Sequence, residues 1–171
     1  SGCAEFPGHR RKKLRQLRCR CMTKEFSLQD FLPYFSRHSA RQWELEVLQE
    51  TESTMTIARN RASRGSVTQP YMAIAACQSG GRGRQGRIWN SGPGGFYATY
   101  MFSTGKAMAE LGGFSLVAGV VIQRILKTED VVIQLKWPND LVSEHGRKLG
   151  GILIEVLPAA GDSLLLIGIG I

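Results

Sequence analysis

The order of apolar and polar residues predicts that short strands alternate with helices after residue 42. Residues 43–48 alternate apolar with acidic side chains, which is the two-residue period of a half-buried strand. Residues 71–77 are apolar throughout and predict a buried strand, and the aromatic run 96–102 predicts another. Three more strand-like runs follow at residues 131–137, 151–157 and 164–171.

Two helices are predicted between these strands. Ser53 and Thr54 provide an N-cap ahead of residues 55–62, and Gly65 ends that helix. Residues 114–126 carry apolar side chains at helical spacing, which indicates a helix that packs on the sheet. The side chains expected to face the sheet are Leu116, Val117, Val120, Val121 and Ile125. Together, these strands and helices predict a predominantly β-sheet domain with helices on one face of the sheet.

The net charge of +8 is concentrated at one end of the chain. Residues 1–24 hold eight basic side chains against Glu5 alone, whereas residues 25–171 hold 14 basic and 13 acidic side chains. The basic excess therefore lies in a tail, which argues against a nucleic-acid-binding surface on the folded part. A non-catalytic, basic-tailed nucleic-acid-binding protein remains the alternative from a different functional class.

Residues 1–24 are expected to be a disordered basic tail, and residues 25–171 a folded domain. The tail lacks the apolar core of a secretory signal, so it resembles a tag, an untranslated stretch or a mitochondrial-type targeting segment. Because the chain begins with Ser1 rather than methionine, Met22 is a candidate for the natural start. Residues 26–39 mix aromatic with polar side chains and predict a short, interrupted helix.

The four cysteines and three histidines match neither a disulfide framework nor a metal site. Three of the cysteines lie in the tail, none forms a CxxC pair, and the histidines are scattered. A reducing compartment is therefore expected, with a cytoplasmic protein as the first interpretation and a mitochondrial one if the tail is a transit segment. No apolar run reaches the length of a membrane span, so no membrane contact is expected.

Glycines alternate with arginines in residues 80–87, directly after the predicted buried strand. Glycine lets the backbone approach a ligand and present N–H groups to an anion, and the arginines add planar, permanently charged donors for carboxylate or phosphate. We therefore predict an anion-binding active-site loop. The alternatives are a flexible solvated loop or an RGG-like nucleic-acid segment, although RGG tracts are longer and repeated. The loop is not a Walker loop, since the final Gly-Lys-Ser/Thr is missing.

Two further segments place lysines at the ends of predicted strands or turns. Residues 136–140 begin with Lys136, which at a strand end could neutralise both a carboxylate nucleophile and the phosphate that it attacks. Pro-Asn-Asp is also ordinary turn chemistry, and such a lysine commonly just reaches solvent. Residues 147–155 place Lys148 before a glycine pair, and taken alone they favour an edge-of-strand lysine with a bulge glycine.

Together, the order and spacing of these segments resemble the biotin protein ligase family, which includes repressor-fused bacterial members and holocarboxylase synthetases. The similarity runs from about Leu45 to the end of the chain. The matching elements are Glu52-Ser53-Thr54, Gln78, residues 80–87, Trp89, Pro93-Gly94-Gly95, residues 136–140, residues 148–155 and Gly168-Ile169-Gly170-Ile171. The resemblance implies a class II aminoacyl-tRNA-synthetase-like α+β fold, in which a mixed, mostly antiparallel sheet carries helices on one face.

The resemblance implies an ATP-dependent biotin protein ligase. In that family, biotin and ATP with Mg²⁺ give biotinyl-5′-AMP and pyrophosphate, and a lysine of a biotin carboxyl carrier domain then attacks the mixed anhydride. ATP, Mg²⁺ and biotin are therefore expected, without an assigned metal-ligating residue. The expected partner is the carrier domain of a carboxylase, and a homodimer is allowed. DNA binding is not expected, because no helix-turn-helix precedes the catalytic region.

The resemblance also assigns roles to residues. Lys136 matches the catalytic lysine that bridges the biotin carboxylate and the α-phosphate, and Arg82 is the second catalytic candidate. The biotin-binding set is Ser53, Thr54, Gln78, Gly81, Arg82, Arg84, Lys136 and Gly151. The nucleotide-binding set is Arg82, Arg84, Arg87, Trp89, Asn139 and Lys148. Within the second set, the tryptophan would shield the adenylate from water.

The chain departs from the family pattern at three places. Met55 stands where many members have asparagine, and Gln85 replaces a frequent arginine or lysine. The chain ends at Ile171, so the usual C-terminal domain is expected to be missing. The rival within the superfamily is a lipoate or octanoate ligase or transferase, whose members lack the tryptophan-proline step that follows Lys136 here.

Overall fold

The computed structural model describes residues 43–65, 67–105, 113–159 and 162–171. Its strands are β1 (Glu44–Thr51), β2 (Tyr71–Gln78), β3 (Tyr97–Ser103), β4 (Gln134–Lys136), β5 (Asp140–Val142), β6 (Lys148–Ala159) and β7 (Asp162–Gly170). Its helices are α1 (Thr54–Ser63) and α2 (Phe114–Thr128), and a single 3-10 turn covers Arg84–Gly86. The predicted tail and the helix expected within residues 26–39 lie outside the described residues.

The strands form one mixed sheet in the order β1-β2-β3-β7-β6-β5-β4. β1 and β2 run parallel, because α1 carries the chain back between them, and the other neighbours are antiparallel. The mixed, mostly antiparallel α+β class is therefore confirmed. Within the predicted strand 131–137 only Gln134–Lys136 is extended, and β5 forms in a segment that was expected to be only a turn.

The two helices pack on opposite faces of the sheet, whereas helices on one face were predicted. Met55 and Ala58 of α1 lie in a core cluster with Met101 of β3 and Leu166 of β7. α2 packs against the other face, where Ile122 lies in a second core cluster with Ile152 of β6, and Ile167 of β7 packs against that cluster. Since successive side chains of a strand point to opposite faces, the two clusters cannot share one side of the sheet.

The buried side of α2 also differs from the prediction. Gly119 and Ile122 are its buried residues, and a Cβ on Gly119 would lie 3.2 Å from Leu135 Cδ2. The helix therefore approaches the sheet closely along its small residues. The five side chains expected to pack on the sheet are instead exposed: Leu116, Val117, Val120, Val121 and Ile125.

β2 is the most deeply buried strand, and it leads straight into the glycine and arginine loop. Seven of its eight residues are buried, as the apolar run predicts. Cys77, near its end, is completely buried. In the described part of the chain, neither helix has the length and apolar character that crossing a membrane requires.

Candidate active site

A cavity of about 520 Å³ opens on the face of the sheet that carries α1. Its floor consists of β2, β3, β6 and β7, and its rim consists of the start of α1, the glycine and arginine loop and the turn before β5. Of the predicted site residues, the structure brings together Ser53, Thr54, Gln78, Arg82, Arg84, Arg87, Trp89, Asn139, Lys148 and Gly151. Gly81 and Lys136 are not among the lining residues.

A network of neutral polar side chains forms the deepest part of the cavity. Gln78 Oε1 accepts hydrogen bonds from the backbone N–H of Thr54 at 2.8 Å and from Thr54 Oγ1 at 3.1 Å. Gln78 Nε2 donates to Ser91 Oγ at 2.8 Å, and Thr54 Oγ1 lies 2.9 Å from Thr99 Oγ1. Thr54 and Thr99 are buried, so the network offers fixed donors and acceptors to a neutral polar group.

Sequence reasoning missed Thr99 and Ser91. Two residues between Tyr97 and Phe102 carry a hydroxyl group. One is Tyr100, whose hydroxyl is on an aromatic ring, and the other is Thr99, at the centre of β3. A polar residue inside a buried strand requires a hydrogen-bond partner, and that requirement was the available signal. Ser91 has no such signal, because its contact with Gln78 depends on how the following loop folds back.

The glycine and arginine loop is a small β-hairpin, which we call the flap, comprising residues 81–89. Arg82 and Ile88 form an isolated antiparallel bridge. The backbone N–H of Trp89 donates to the carbonyl of Gly81 at 2.9 Å, and that of Gly83 donates to the carbonyl of Arg87 at 2.8 Å. The 3-10 turn Arg84–Gly86 forms the tip of the flap, and the three arginines lie on the cavity rim.

Two glycines make room for the ring of Trp89 on the cavity floor. A Cβ on Gly170 would lie 2.5 Å from Trp89 Nε1, and one on Gly151 would lie 3.3 Å from its Cζ3. Trp89 Nε1 is buried and has no hydrogen-bond partner within the described residues. The ring is therefore held by shape and by the Lys148 ammonium, whose Nζ lies 5.2 Å from the ring centroid.

Two lysines lie at or near the cavity. Lys148 lines it, and Lys148 Nζ forms an ion pair with Asp140 Oδ1 at 2.6 Å, from β6 across to β5. Lys136 is exposed on the edge strand β4 and is not among the lining residues, but it pairs across the strands with Asp140, which is. The catalytic role expected for Lys136 stays a prediction.

Asn139 also has a structural role in the turn that shapes the rim. Its Nδ2 donates to the carbonyl of Ile152 at 2.8 Å, and the backbone N–H of Ile152 donates to the carbonyl of Asn139 at 2.9 Å. This pair of bonds ties the turn to β6. Gly81 is buried, and a Cβ there would lie 2.6 Å from the carbonyl of Trp89.

The charge of the described cavity lining is strongly positive. Its cations are Arg82, Arg84, Arg87 and Lys148, against Asp140 as the one carboxylate. Within the described residues no group of three metal-ligating His, Cys, Asp or Glu side chains occurs. The site therefore combines a neutral hydrogen-bonding floor with a cationic rim, which suits a ligand with a neutral polar head and an anionic tail.

Known proteins share both this sequence and this architecture. Over 110 residues, 63% of this chain, the sequence is 40% identical to the bifunctional ligase/repressor BirA of Escherichia coli. The structure superposes on the Leishmania major biotin protein ligase in complex with biotinyl-5-AMP, at 30% identity over 75% of this chain with a TM-score of 0.60. It also superposes on the Aquifex aeolicus biotin protein ligase in complex with biotin and ATP, at 32% identity over 75% of this chain with a TM-score of 0.55.

The similarity covers most of this chain but only part of each relative. The chain spans 34% of the E. coli protein, 56% of the L. major chain and 51% of the A. aeolicus chain. The sequence model of the family described as "Biotin/lipoate A/B protein ligase family" matches residues 47–171. That match begins within β1 and includes every element that forms the cavity, so the chain belongs to the biotin/lipoate A/B protein ligase family.

Proposed function

We propose that this chain carries the biotin-activating site of an ATP-dependent biotin protein ligase. The site would join the biotin carboxylate to the α-phosphate of ATP and release pyrophosphate. The amine of an acceptor lysine on a biotin carboxyl carrier domain would then attack the acyl carbon, lose a proton, and displace AMP. The observation that carries the proposal is the pairing of a neutral polar floor with a cationic rim in one cavity.

The floor supports biotin over lipoate as the acid that is activated. The ureido ring of biotin is neutral and offers both N–H donors and a carbonyl acceptor, which match the hydroxyls and amide around Gln78, Thr54 and Thr99. The dithiolane ring of lipoate offers neither these donors nor a carbonyl acceptor, so it could not add hydrogen bonds to this network. In this orientation the acyl chain leads the carboxylate toward the rim.

Lys136 and Lys148 are the proposed catalytic cations; Lys136 pairs across the strands with Asp140, which lines the cavity. Two anions, a carboxylate and a phosphate, must approach each other in the first step. A shared ammonium stabilises the transition state, where their charges are closest, more than it stabilises the separated substrates. Lys148 lines the cavity, and the Asp140 carboxylate at 2.6 Å holds its Nζ in place from the neighbouring strand.

The flap supplies the remaining positive charge and protects the product. Arg82, Arg84 and Arg87 present guanidinium groups at the rim, where carboxylate and phosphate oxygens would lie. A mixed anhydride hydrolyses when water reaches it, so a cover that includes the Trp89 ring favours transfer to the acceptor over loss. The lining has a single carboxylate, already paired with Lys148, and so it does not fit a protein-held Mg²⁺ site. The metal would be bound by the ATP phosphates.

The test is formation of labelled biotinyl-AMP from biotin and ATP, followed by transfer to a carrier domain. Lys136→Ala and Lys148→Ala should each lower the rate of adenylation at least about 100-fold, whereas Lys127→Ala, a matched change in the last turn of α2, should stay within about threefold of wild type. Adenylation at the wild-type rate in either variant would remove that lysine from the catalytic assignment. Parallel reactions with labelled lipoate decide between the two acids, since lipoyl transfer without biotinyl transfer would disprove the proposed substrate.

A further inference from the structure

We propose that Thr56 is a positioning residue for this site, because its hydroxyl holds the guanidinium of Arg82 and thereby fixes the flap over the cavity. The consequence for catalysis rests on the proposed function, whereas the effect on the flap does not. Nothing in the sequence singled out Thr56, which follows Met55 in the first turn of α1.

The contact is short and charge-assisted. Arg82 Nη2 donates to Thr56 Oγ1 at 2.7 Å. Hydrogen bonds in which one partner is ionised are shorter and stronger than neutral ones, and solvent around the exposed Arg82 reduces that advantage. Within the described residues, it is the only side-chain hydrogen bond that joins residues 82–88 to an element outside the flap.

The position of Arg82 within the flap lets its hydrogen bond to Thr56 hold one face of the flap. Arg82 is bridged to Ile88, while the neighbouring Gly81 and Trp89 are joined by a backbone hydrogen bond. Because successive side chains of a strand point to opposite sides, Arg82 and the Trp89 ring extend from opposite faces of the flap. The flap is thus held on one face by α1 and on the other by the glycines beneath Trp89.

The same end of α1 is already fixed to the cavity floor. The backbone N–H of Thr54 donates to Gln78 Oε1 at 2.8 Å, and Thr56 lies two residues further along the helix. The first turn of α1 therefore connects the floor to the flap. Loss of the Thr56 hydroxyl should free the flap without altering the floor, because Thr54, Gln78 and Thr99 keep their hydrogen bonds.

The first experiment measures the flap directly, in the full chain and without ligand. Trypsin can cleave after the flap arginines only when the flap opens, and mass spectrometry identifies those fragments. Thr56→Val, which keeps the side-chain shape, should increase cleavage after Arg84 and Arg87 about five- to tenfold, the effect of losing one charge-assisted hydrogen bond. Thr56→Ser should restore slow cleavage, and Thr68→Val serves as a matched control away from the site.

A double-mutant comparison separates the contact from a general loss of stability. In an Arg82→Ala background, Thr56→Val should cause no further increase in cleavage, because the partner is already missing. The proposal is overturned if Thr56→Val is cleaved at the wild-type rate, or if its effect persists undiminished beside Arg82→Ala. Thermal unfolding of each variant shows whether a change in cleavage reflects the flap or the whole fold.

The second experiment measures the consequence for the reaction. Thr56→Val should release biotinyl-AMP about five- to tenfold faster and raise the KM for biotin, with a smaller change in kcat, and Thr56→Ser should restore both. A five- to tenfold fall in kcat without faster release of biotinyl-AMP would contradict a positioning role. If the wild-type chain forms no biotinyl-AMP, the proposed function fails, while the cleavage experiment still decides the role of Thr56.

Discussion

Replacing Gly170 with alanine tests how the Trp89 ring is held on the cavity floor. The added Cβ would lie 2.5 Å from Trp89 Nε1 and 2.7 Å from its Cε2, well inside van der Waals contact. The ring belongs to a side chain that is also packed on Gly151 and Lys148, so it has little room to yield. The steric overlap should destabilise the fold by about 1–3 kcal/mol, the usual range for overpacking a well-filled site.

Gly170→Ala should no longer destabilise the fold once the Trp89 ring is removed. Alanine in a strand is intrinsically better than glycine by about 0.5–1 kcal/mol, because it restricts the unfolded chain. In a Trp89→Ala background, Gly170→Ala should therefore be neutral or stabilising, since no ring remains to collide with the new methyl group. Gly92→Ala is the matched control, because nothing lies within 4 Å of a Cβ at that position.

The four variants are Gly170→Ala, Trp89→Ala, the double variant and Gly92→Ala. Urea unfolding of each gives its free energy of unfolding, and calorimetric titration gives its affinity for biotin. Gly170→Ala alone should also weaken biotin binding by about tenfold, which corresponds to 1.4 kcal/mol, because the displaced ring no longer completes the cavity wall. The reasoning is refuted if Gly170→Ala has the same destabilising effect with and without the tryptophan. Such a result would mean that the loss of stability comes from the alanine within β7 and not from its contact with the Trp89 ring.

Two further predictions concern the cavity floor and the far edge of the sheet. Thr99→Val removes one buried hydroxyl from the network at Thr54, and calorimetry should show biotin affinity reduced about tenfold with about 1 kcal/mol of stability lost. At the other end of the sheet, the hydrogen bond from Arg61 lowers the pKa of the Glu44 carboxyl below 4.5. Because the folded pKa is depressed, the pair stabilises the protein above that value and loses its effect as the pH falls through the folded pKa. Arg61→Ala should therefore cost about 0.5 kcal/mol in urea unfolding at pH 7 and nothing measurable in strong acid, and an unchanged difference in acid would contradict the assignment.

The sequence predicted most elements of the fold because their patterns are local. The apolar run at β2, the aromatic run at β3 and the glycine and arginine loop each carry a period or composition that needs no knowledge of the rest of the chain. Gln78 and Thr54 lie at the cavity, and their role in binding biotin stays a prediction. These residues lie at the ends of predicted elements, where a strand or helix boundary limits the directions available to a side chain.

The predicted buried side of α2 was wrong because it depended on non-local packing. The outer apolar side of α2 is larger than its inner side, so hydrophobicity alone favoured Val117 and Ile125 over Gly119. The inner side packs through a small residue, whose contribution is the close approach that it permits. The ion pair between Lys148 and Asp140 also depended on strand pairing, and β5 shifts its register against β6 between Leu141 and Val142. A shift of this kind re-aims side chains, and no local pattern reveals it.

The start of α1 has a consequence for how the domain assembles. Ser53 occupies the cap position but makes no side-chain hydrogen bond to the helix, and the first turn is completed by Gln78, 24 residues further along the chain from Thr54. An isolated segment of ten helical residues has too few bonds to persist in water, and here it also lacks a local cap. Helix and sheet must therefore become ordered in one cooperative event. Thr54 and Gln78, which would recognise a ligand, are therefore also the residues that join α1 to the sheet.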